Sequence, residues 1–492
     1  MSITGDTSTD FTLIGVLVVV AGFAAKVAAL GVIPGNRRPS SGMAWLLVVL
    51  LAPLLGIVFF FFFGSTAVGR KRHQRQQAVN DRITEATKAM PEDLDGLSPS
   101  VRTVAVLNRK LGTMPLTRDN AVAVIEDYEQ SILAMAAAID TATDYVNVEF
   151  YISAWDEMTD PFFRALVAAT ERGVTVRYLF DHLGSRGIPG YKDFLKRLEA
   201  TSIDWHPMLP IKPLKRRFRR PDLRNHRKIL VVDGRTAFMG SQNMTEPGYN
   251  KPKNHEAGRK WVELMVEVQG PVVAELNAVF ASDWYFETDE ALGPQVLGSG
   301  MPALPDAITG VHAQVVPSGP GFSTENNLRM FTTLIYAADE RVSITSPYFV
   351  PDESLLYAVT TAAQRGIDIE LFVSEESDQF MVGHAQASYY RALLEAGVRI
   401  YMYPAPLVLH SKHFSVDDNV AVIGSSNMDM RSFALNYEVS MMMTGTEIVT
   451  RMRAVEDHYR SLSRELTLAE WEQRPFRTRY VDNVMRLTSA LQ

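Results

Sequence analysis

The sequence predicts an α/β protein of two pseudo-symmetric lobes, mixed sheets flanked by helices, with one active site between them and a helical membrane hairpin in front. Three observations carry that prediction. The chain of 492 residues exceeds one ordinary domain; it opens with two long apolar stretches; and from about residue 116 a strand–helix–strand pattern occurs twice, each time followed by the same six-position motif.

The hairpin occupies residues 1–66. Residues 11–34 are apolar apart from Lys26 and residues 43–63 carry no charge, each long enough for a bilayer crossing of about 20 residues. The front, MSITGDTSTD, has no basic region of the kind that opens a cleaved signal peptide. Pro53 and Gly56 allow a kink in the second stretch, so a re-entrant hairpin is the alternative to a spanning one. Arg37 and Arg38 lie in the short loop, against Arg70, Lys71, Arg72 and Arg75 behind the second stretch. That balance places both termini, and the globular part, on the cytoplasmic side of the cell membrane. Residues 67–115 then read as a basic linker, in which GRKRHQRQ (69–76) anchors the hairpin at the interface.

Lobe 1 is expected over 116–300 and lobe 2 over 301–492. In the first, YVNVEFYI (145–152) leads to the helical DPFFRALVAATERG and the strand VTVRYLF; in the second, RVSITSPYF (341–349) leads to DESLLYAVTTAAQRG and IDIELFV. Both helices stop at Arg-Gly, Arg172-Gly173 and Arg365-Gly366, and both blocks reach Leu-Glu-Ala, at 198–200 and 394–396. A period of roughly 190 residues is too long for a solenoid and indicates duplicated lobes, joined by the Gly/Pro-rich stretch 291–310.

The motif runs His, one residue, Lys, four residues, Asp, six residues, Gly-Ser, one residue, Asn. Lobe 1 supplies His226, Lys228, Asp233, Gly240, Ser241 and Asn243; lobe 2 supplies His410, Lys412, Asp417, Gly424, Ser425 and Asn427. Alternation along a strand puts each His and Lys on one face. Asp233-Gly234 and residues 417–419 are hairpin turns that fold a second strand back, bringing Ser and Asn alongside. Imidazole, ammonium, hydroxyl and amide together make a phosphate cradle with a nucleophile or acid built in. The motif aspartates are counted with the catalytic set, although their place at the turn favours ordering the hairpin. One H-x-K alone would be an ordinary basic strand edge; its duplication at equivalent places in a repeat makes it a site.

Composition narrows the chemistry. A net charge of −7 gives no global attraction to nucleic acid, and the absence of cysteine removes disulfides, thiolate catalysis and cysteine zinc sites.

The paired H-x-K-x4-D motifs resemble those of the phospholipase D superfamily, and more narrowly its bacterial cardiolipin synthases. Supporting features are RRP (37–39) before the second apolar stretch, SPYFVPD (346–352) and NMDMRSFALNYE (427–438). The resemblance implies two phospholipase D-like lobes sharing one active site. It implies a phosphatidyl group moved from one phosphatidylglycerol to another through a phosphohistidine, with no cofactor or metal. Lys228, Ser241, Asn243, Lys412, Ser425 and Asn427 would bind the phosphate. His226 would be the nucleophile and His410 the acid, roles that pseudo-symmetry makes exchangeable. Each histidine would be oriented by a downstream carboxylate: Glu438 follows His410 by 28 residues, and Glu263 follows His226 by 37 because of an insertion around PGYNKPKNHEAGRK, which makes Glu256 a rival. Partners are anionic phospholipids and the membrane rather than nucleic acid. Another phospholipase D or headgroup exchanger, with another donor or acceptor, would use the same residues; an inactive scaffold would have lost a motif.

The remaining features divide. Residues 212–228 carry nine Lys or Arg, either as a rim for anionic headgroups or as a solvated loop. Arg431 either binds phosphate or braces the lobes. His255, His384 and His413 lack a repeat partner and are not expected to touch substrate, and Met441 to Met443 belong to the sheet core.

Overall fold

The computed structural model describes residues 7–35, 39–60, 64, 70–87, 94–211, 222–292, 304–322 and 324–489. The chain divides into two compact units, Met1–Ala67 and Val68–Gln492.

In the first unit a helix over Thr7–Val32 is followed by Pro39–Leu51 and Pro53–Phe59. The second apolar stretch is therefore broken at Pro53, which lacks the N–H that would continue the helix, and Gly56 sits where a Cβ would lie 2.7 Å from the Val49 Cα. Ala29, Ile33, Leu46 and Val49 are buried between these helices, and their other faces are exposed and apolar. Among the described residues no helix is long and apolar enough to cross a membrane.

The basic linker is helical in the second unit, over Arg70–Thr87 and Pro99–Gly112, the latter capped by Ser98, whose Oγ accepts from the Val101 N–H. Lobe 1 then contributes β1 (Thr117–Ile125), β2 (Tyr145–Phe150), β3 (Thr175–Asp181), β4 (Asp204–Met208), β5 (Arg224–Asn225), β6 (Ile229–Val232), β7 (Thr236–Gly240), β8 (Trp261–Val262) and β9 (Met265–Gln269). Lobe 2 contributes β10 (Ile308–Ser318), β11 (Arg341–Thr345), β12 (Phe349–Val350), β13 (Asp368–Ser374), β14 (Arg399–Tyr403), β15 (Val408–Leu409), β16 (His413–Val416), β17 (Val420–Gly424), β18 (Met428–Asp429), β19 (Asn436–Thr444) and β20 (Arg464–Leu466).

The main sheet runs β20-β14-β13-β11-β16-β17-β19-β10-β1-β9-β7-β6-β2-β3-β4. Read outward from the antiparallel β1–β10 junction, the two halves repeat the same order of strands. The predicted duplication is thus present, with both lobes joined in one continuous sheet. Each half is antiparallel near the junction and parallel from β2 to β4 or from β11 to β14, where a helix, Asp160–Glu171 or Glu353–Gln364, makes the first crossover, and lobe 2 adds β20 antiparallel at its edge. Those helices end at Gly173 and Gly366, with φ of +88° and +92°, which glycine adopts freely. The preceding arginines reach back to carbonyls of the neighbouring segment: Arg172 Nη2 to Ile139 O at 3.0 Å and Arg365 Nη2 to Ala338 O at 2.7 Å.

One apolar core lies in each lobe's outer part, and a third, shared, core covers the central strands beneath the helices Val272–Thr288 and Thr446–Leu462. Met441 and Met443 belong to the shared core and Met442 to that of lobe 2, all fully buried as expected of sheet residues.

Candidate active site

The site begins with two short strands that leave their own lobe. β5, immediately before His226, pairs in parallel with β19 of lobe 2, and the His226 N–H donates to Tyr437 O at 2.9 Å. β15, immediately before His410, pairs in parallel with β8 of lobe 1, and the His410 N–H donates to Val262 O at 2.8 Å. Each motif then passes back into its own lobe's sheet as β6 or β16. His226–Lys228 and His410–Lys412 therefore occupy the extended crossings between sheets, rather than regular strands as the alternation suggested.

This exchange crosses the carboxylates. His226 Nδ1 lies 3.0 Å from Glu438 Oε2 and 2.9 Å from Ser425 O, both in lobe 2. His410 Nδ1 lies 2.7 Å from Glu263 Oε1 in lobe 1. The expected pairing within each lobe is thus corrected: the residue beside each histidine's backbone is the neighbour of the opposite lobe's glutamate. Glu256 is exposed at the end of the short helix Pro252–Glu256 and is no rival. With Nδ1 facing acceptors, each ring presents Nε2 for chemistry.

The lysines are equally matched. Lys228 Nζ donates to His226 O and Lys412 Nζ to His410 O, each at 2.5 Å, and both side chains are buried. Burial pushes Lys228 down to about 7 and Lys412 down to about 8, opposed by the attraction of Glu438 and Glu263. Their mutual repulsion adds to the fall of Lys228.

The glutamates differ. Glu438 is held below the usual carboxylate range despite complete burial, by the charge and hydrogen bond of His226, by Lys228 and by Ser425. Ser425 Oγ donates to its Oε2 at 2.5 Å and Asn436 Nδ2 to its Oε1 at 3.3 Å. Burial pushes Glu263 up to about 8, against Lys412, the Ser241 hydroxyl and Lys228. Both imidazoles are lowered chiefly by burial, His226 to about 4 despite Glu438, and His410 well below its ordinary value, with Lys412, Lys228 and His226 adding to the fall. At neutral pH the His226–Glu438 pair is an anion beside a neutral ring. Beside His410, burial instead drives Glu263 toward its protonated form.

The serines and one asparagine are not free for phosphate. Ser241 Oγ donates to Leu264 O at 3.2 Å and accepts from the Leu264 N–H at 3.0 Å; Ser425 Oγ accepts from the Val439 N–H at 3.1 Å. Each hydroxyl thereby fixes the strand that carries a glutamate. Asn243 donates from Nδ2 to Tyr249 Oη at 2.8 Å and accepts from the Ile152 N–H at 3.2 Å. Asn427 keeps its Oδ1 buried without a partner, and an acceptor oxygen of phosphate would have to be met by its Nδ2.

The aspartates stand away from this chemistry. Asp233 accepts from the N–H groups of Thr143, Asp144 and Tyr145 at 2.8–2.9 Å and from Thr143 Oγ1. Asp417 accepts from the N–H groups of Asp339, Glu340 and Arg341 at 2.8–3.1 Å. Both occupy the left-handed region, with φ of 49° and 46°, and tie the β6–β7 and β16–β17 turns to the starts of β2 and β11. This is the hairpin-ordering role that their place at the turn favours.

Three sets of neighbours were not singled out by spacing. Tyr151 sets its ring edge-on to His226 at 4.8 Å between centroids, with Lys228 Nζ 5.3 Å from its centre. Tyr249, in the lobe 1 insertion, packs on Trp261 at 4.6 Å and holds Asn243. Arg224 and Arg227, counted in the basic run, are buried: Arg224 pairs with Asp181 at 3.1 Å and Arg227 with Asp283, while Asn225 Nδ2 donates to Glu149 Oε1 at 2.5 Å. Only strong burial of the "RNHRK" run could have flagged them, and a basic run does not advertise burial. The rest of that run, residues 212–221, lies outside the described residues.

Arg431 donates from Nη2 to Asp222 O at 3.1 Å, bracing lobe 2 against lobe 1. His255 meets Glu246, His384 meets Asp482, and His413 meets Thr345; none contacts a motif histidine. Among the described residues no group of His, Asp and Glu has the makings of a metal site.

Comparison with known proteins agrees with this geometry. A family model described as cardiolipin synthase, PLD-like domain, matches residues 135–284 and 331–459, and a phospholipase D-nuclease N-terminal model matches 24–65. The chain is 33% identical to cardiolipin synthase A of Proteus mirabilis, over 93% of this chain and 94% of that one. It is 31% identical to cardiolipin synthase A of Pectobacterium carotovorum, over 98% and 100%. Among solved structures, phosphatidylserine synthase of Haemophilus influenzae superposes with a TM-score of 0.59 at 14% identity, over 80% of this chain and all of that one, a likeness of fold.

Proposed function

The chain belongs to the PLD-like cardiolipin synthase family, and on that premise we propose that this phosphatidyltransferase makes cardiolipin from two molecules of phosphatidylglycerol. The observation that supports it best is the pair of crossed His–Glu contacts, which present two Nε2 atoms beside two buried lysines.

The opposite shifts of Glu438 and Glu263 support the division of labour. His226 Nε2 carries a lone pair and attacks phosphorus; the P–N bond forms, the P–O bond to glycerol breaks, and His410 Nε2 gives its proton to the departing oxygen. Glu263 resupplies His410 through Nδ1. In the second half-reaction His410 takes the proton of a hydroxyl on the second phosphatidylglycerol, whose oxygen displaces His226. Lys228, Lys412 and Asn427 face the nonbridging oxygens, and the incoming anion keeps both lysines charged despite burial. Ser241, Ser425 and Asn243 act by holding other groups in place.

Residues 11–34 and 43–63 serve as the bilayer tether, spanning or re-entrant, with the second unit on the cytoplasmic side, where Lys212, Lys215, Arg216, Arg217, Arg219 and Arg220 attract anionic headgroups. The cysteine-free chain makes this testable: Lys192→Cys should react with an impermeant thiol reagent only when the cytoplasmic face is open.

The activity is tested with labelled phosphatidylglycerol in mixed micelles. Cardiolipin with an equal amount of free glycerol is expected. Phosphatidic acid as the sole product makes the protein a hydrolase. Rapid denaturation at alkaline pH, where a P–N bond survives, should trap a label carried on phosphorus on the His226 peptide.

A further inference from the structure

The last helix of the chain, Phe476–Arg486, has two unlike faces. Asp482 is buried and takes hydrogen bonds from His384 Nδ1 and Arg474 Nη2, each at 2.7 Å, and Met485 packs on the lobe 2 core. Opposite them, at steps of four, four and three residues, Phe476, Tyr480, Val484 and Leu487 form a stripe exposed from 37% at Val484 to 84% at Leu487. Arg477 borders the stripe on one side, and Arg479 and Arg486 border it on the other. An apolar stripe flanked by cations is the pattern of a helix that lies in a lipid interface.

A second exposed apolar pair, Phe380 and Met381, at 68% and 46%, opens the helix Phe380–Ala396 that packs beside the last helix. Phe380 meets the His384 ring edge-on at 4.4 Å, and His384 is the residue bound to Asp482 of the last helix. Two residues before Phe380, Asp378 accepts from Tyr348 Oη at 2.8 Å and lies within the electrostatic reach of Lys412. This second pair thus adjoins a segment whose charge, at Asp378, is felt by the lysine of the lobe 2 motif.

We propose that Phe476, Tyr480, Val484, Leu487, Phe380 and Met381 form a membrane-docking face of the second unit, which settles on an anionic phospholipid surface and sets the mouth of the active site against it. The choice of occupant rests on the arginines that flank the apolar stripe and on the lipid-transfer reading given above. A tether alone keeps the enzyme near the bilayer; this face would orient the mouth so that headgroups enter without the acyl chains leaving lipid.

The absence of cysteine permits a direct test on the full-length protein. Tyr480→Cys carries a nitroxide in vesicles of phosphatidylglycerol and phosphatidylcholine, with Glu171→Cys, exposed on lobe 1, as the reference. The label at 480 should be reached better by oxygen than by a water-soluble nickel chelate, the reverse holding at 171, and the contrast should shrink in phosphatidylcholine alone. Equal exposure to the chelate at both sites overturns the proposal. So does concentration-dependent spin–spin broadening in detergent, which would mean that a second copy covers the patch. Replacing Phe476, Tyr480, Val484 and Leu487 by Ser should lower turnover of vesicle-borne phosphatidylglycerol by about tenfold or more while leaving a monomeric short-chain analogue within about twofold. An equal loss on both substrates overturns the docking role. If wild-type protein acts on neither, the transferase reading fails, whereas the nitroxide contrast still decides the docking face.

Discussion

Lobe 1 and lobe 2 present the same strands in the same order and the same six motif residues, yet they surround those residues differently. Behind His226 lie Arg224 with Asp181, Arg227 with Asp283, and Asn225 with Glu149, all buried. The positions around His410 are Val408, Leu409 and Ser411, with His413 against Thr345. On the carboxylate side Glu438 has three hydrogen-bonding side chains, His226, Ser425 and Asn436, whereas Glu263 has His410 and the Ser241 hydroxyl. Duplication kept the frame and let the electrostatics diverge, so two identical imidazoles face carboxylates held in opposite directions, Glu438 below its ordinary value and Glu263 above it.

The sharpest test of that difference separates the two half-reactions. His226→Ala and His410→Ala should each lower cardiolipin formation by roughly 10⁴-fold or more. Given a donor whose leaving group is a nitrophenol and needs no acid, His410→Ala should still release nitrophenol in a stoichiometric burst, and His226→Ala should not. A burst from the His226 variant instead would reverse the roles. The next effect is on Glu438→Gln, which leaves the His226 ring without its anion and should cost about 10² to 10³ in kcat.

Glu263→Gln should act on pH dependence. The activity of the wild type needs the proton of the His410–Glu263 pair, so kcat/KM should fall as pH rises through about 8, and fall at the acid end as His226 is protonated near 4. The variant should lose the basic limb assigned to that pair while keeping the acid one. An unchanged limb would assign it to a lysine.

Two smaller effects concern stability. Arg227→Met leaves Asp283 buried without its cation and should cost about 3–5 kcal/mol in chemical denaturation, whereas Ser411→Ala at the equivalent lobe 2 position should cost about 1 kcal/mol. Asp233→Asn should destabilise by about 2 kcal/mol with kcat per folded molecule retained. Burial alone would raise the Asp233 carboxyl, but its backbone hydrogen bonds hold it below the ordinary 3.8. Its contribution is therefore complete above that value and fades as pH falls through the depressed one, so wild type and variant should converge in acid.

Much of this was legible in the sequence. The two H-x-K-x4-D copies gave the lobes, the turns at Asp233 and Asp417, and the histidine–lysine pairs, because local spacing determines hairpins and faces. The partner of each histidine was not legible. It depends on β5 and β15, two residues each, whose pairing with the other lobe leaves no periodic trace. Ser241, Ser425 and Asn243 share the motif's spacing but spend their hydrogen bonds on strands and on Tyr249, a distinction that side-chain identity cannot express. The broken second stretch of the N-terminal unit was anticipated at Pro53 and Gly56, since those residue types act locally.

The exchanged strands also make the two lobes dependent on each other. A single copy of this lobe has a histidine but not the glutamate beside it, so it would have worked only as one of two identical partners. In the present chain neither lobe completes a histidine–glutamate pair by itself. Identical subunits must change together, and a fused pair need not; the unequal surroundings of His226 and His410 are what that freedom allowed to accumulate.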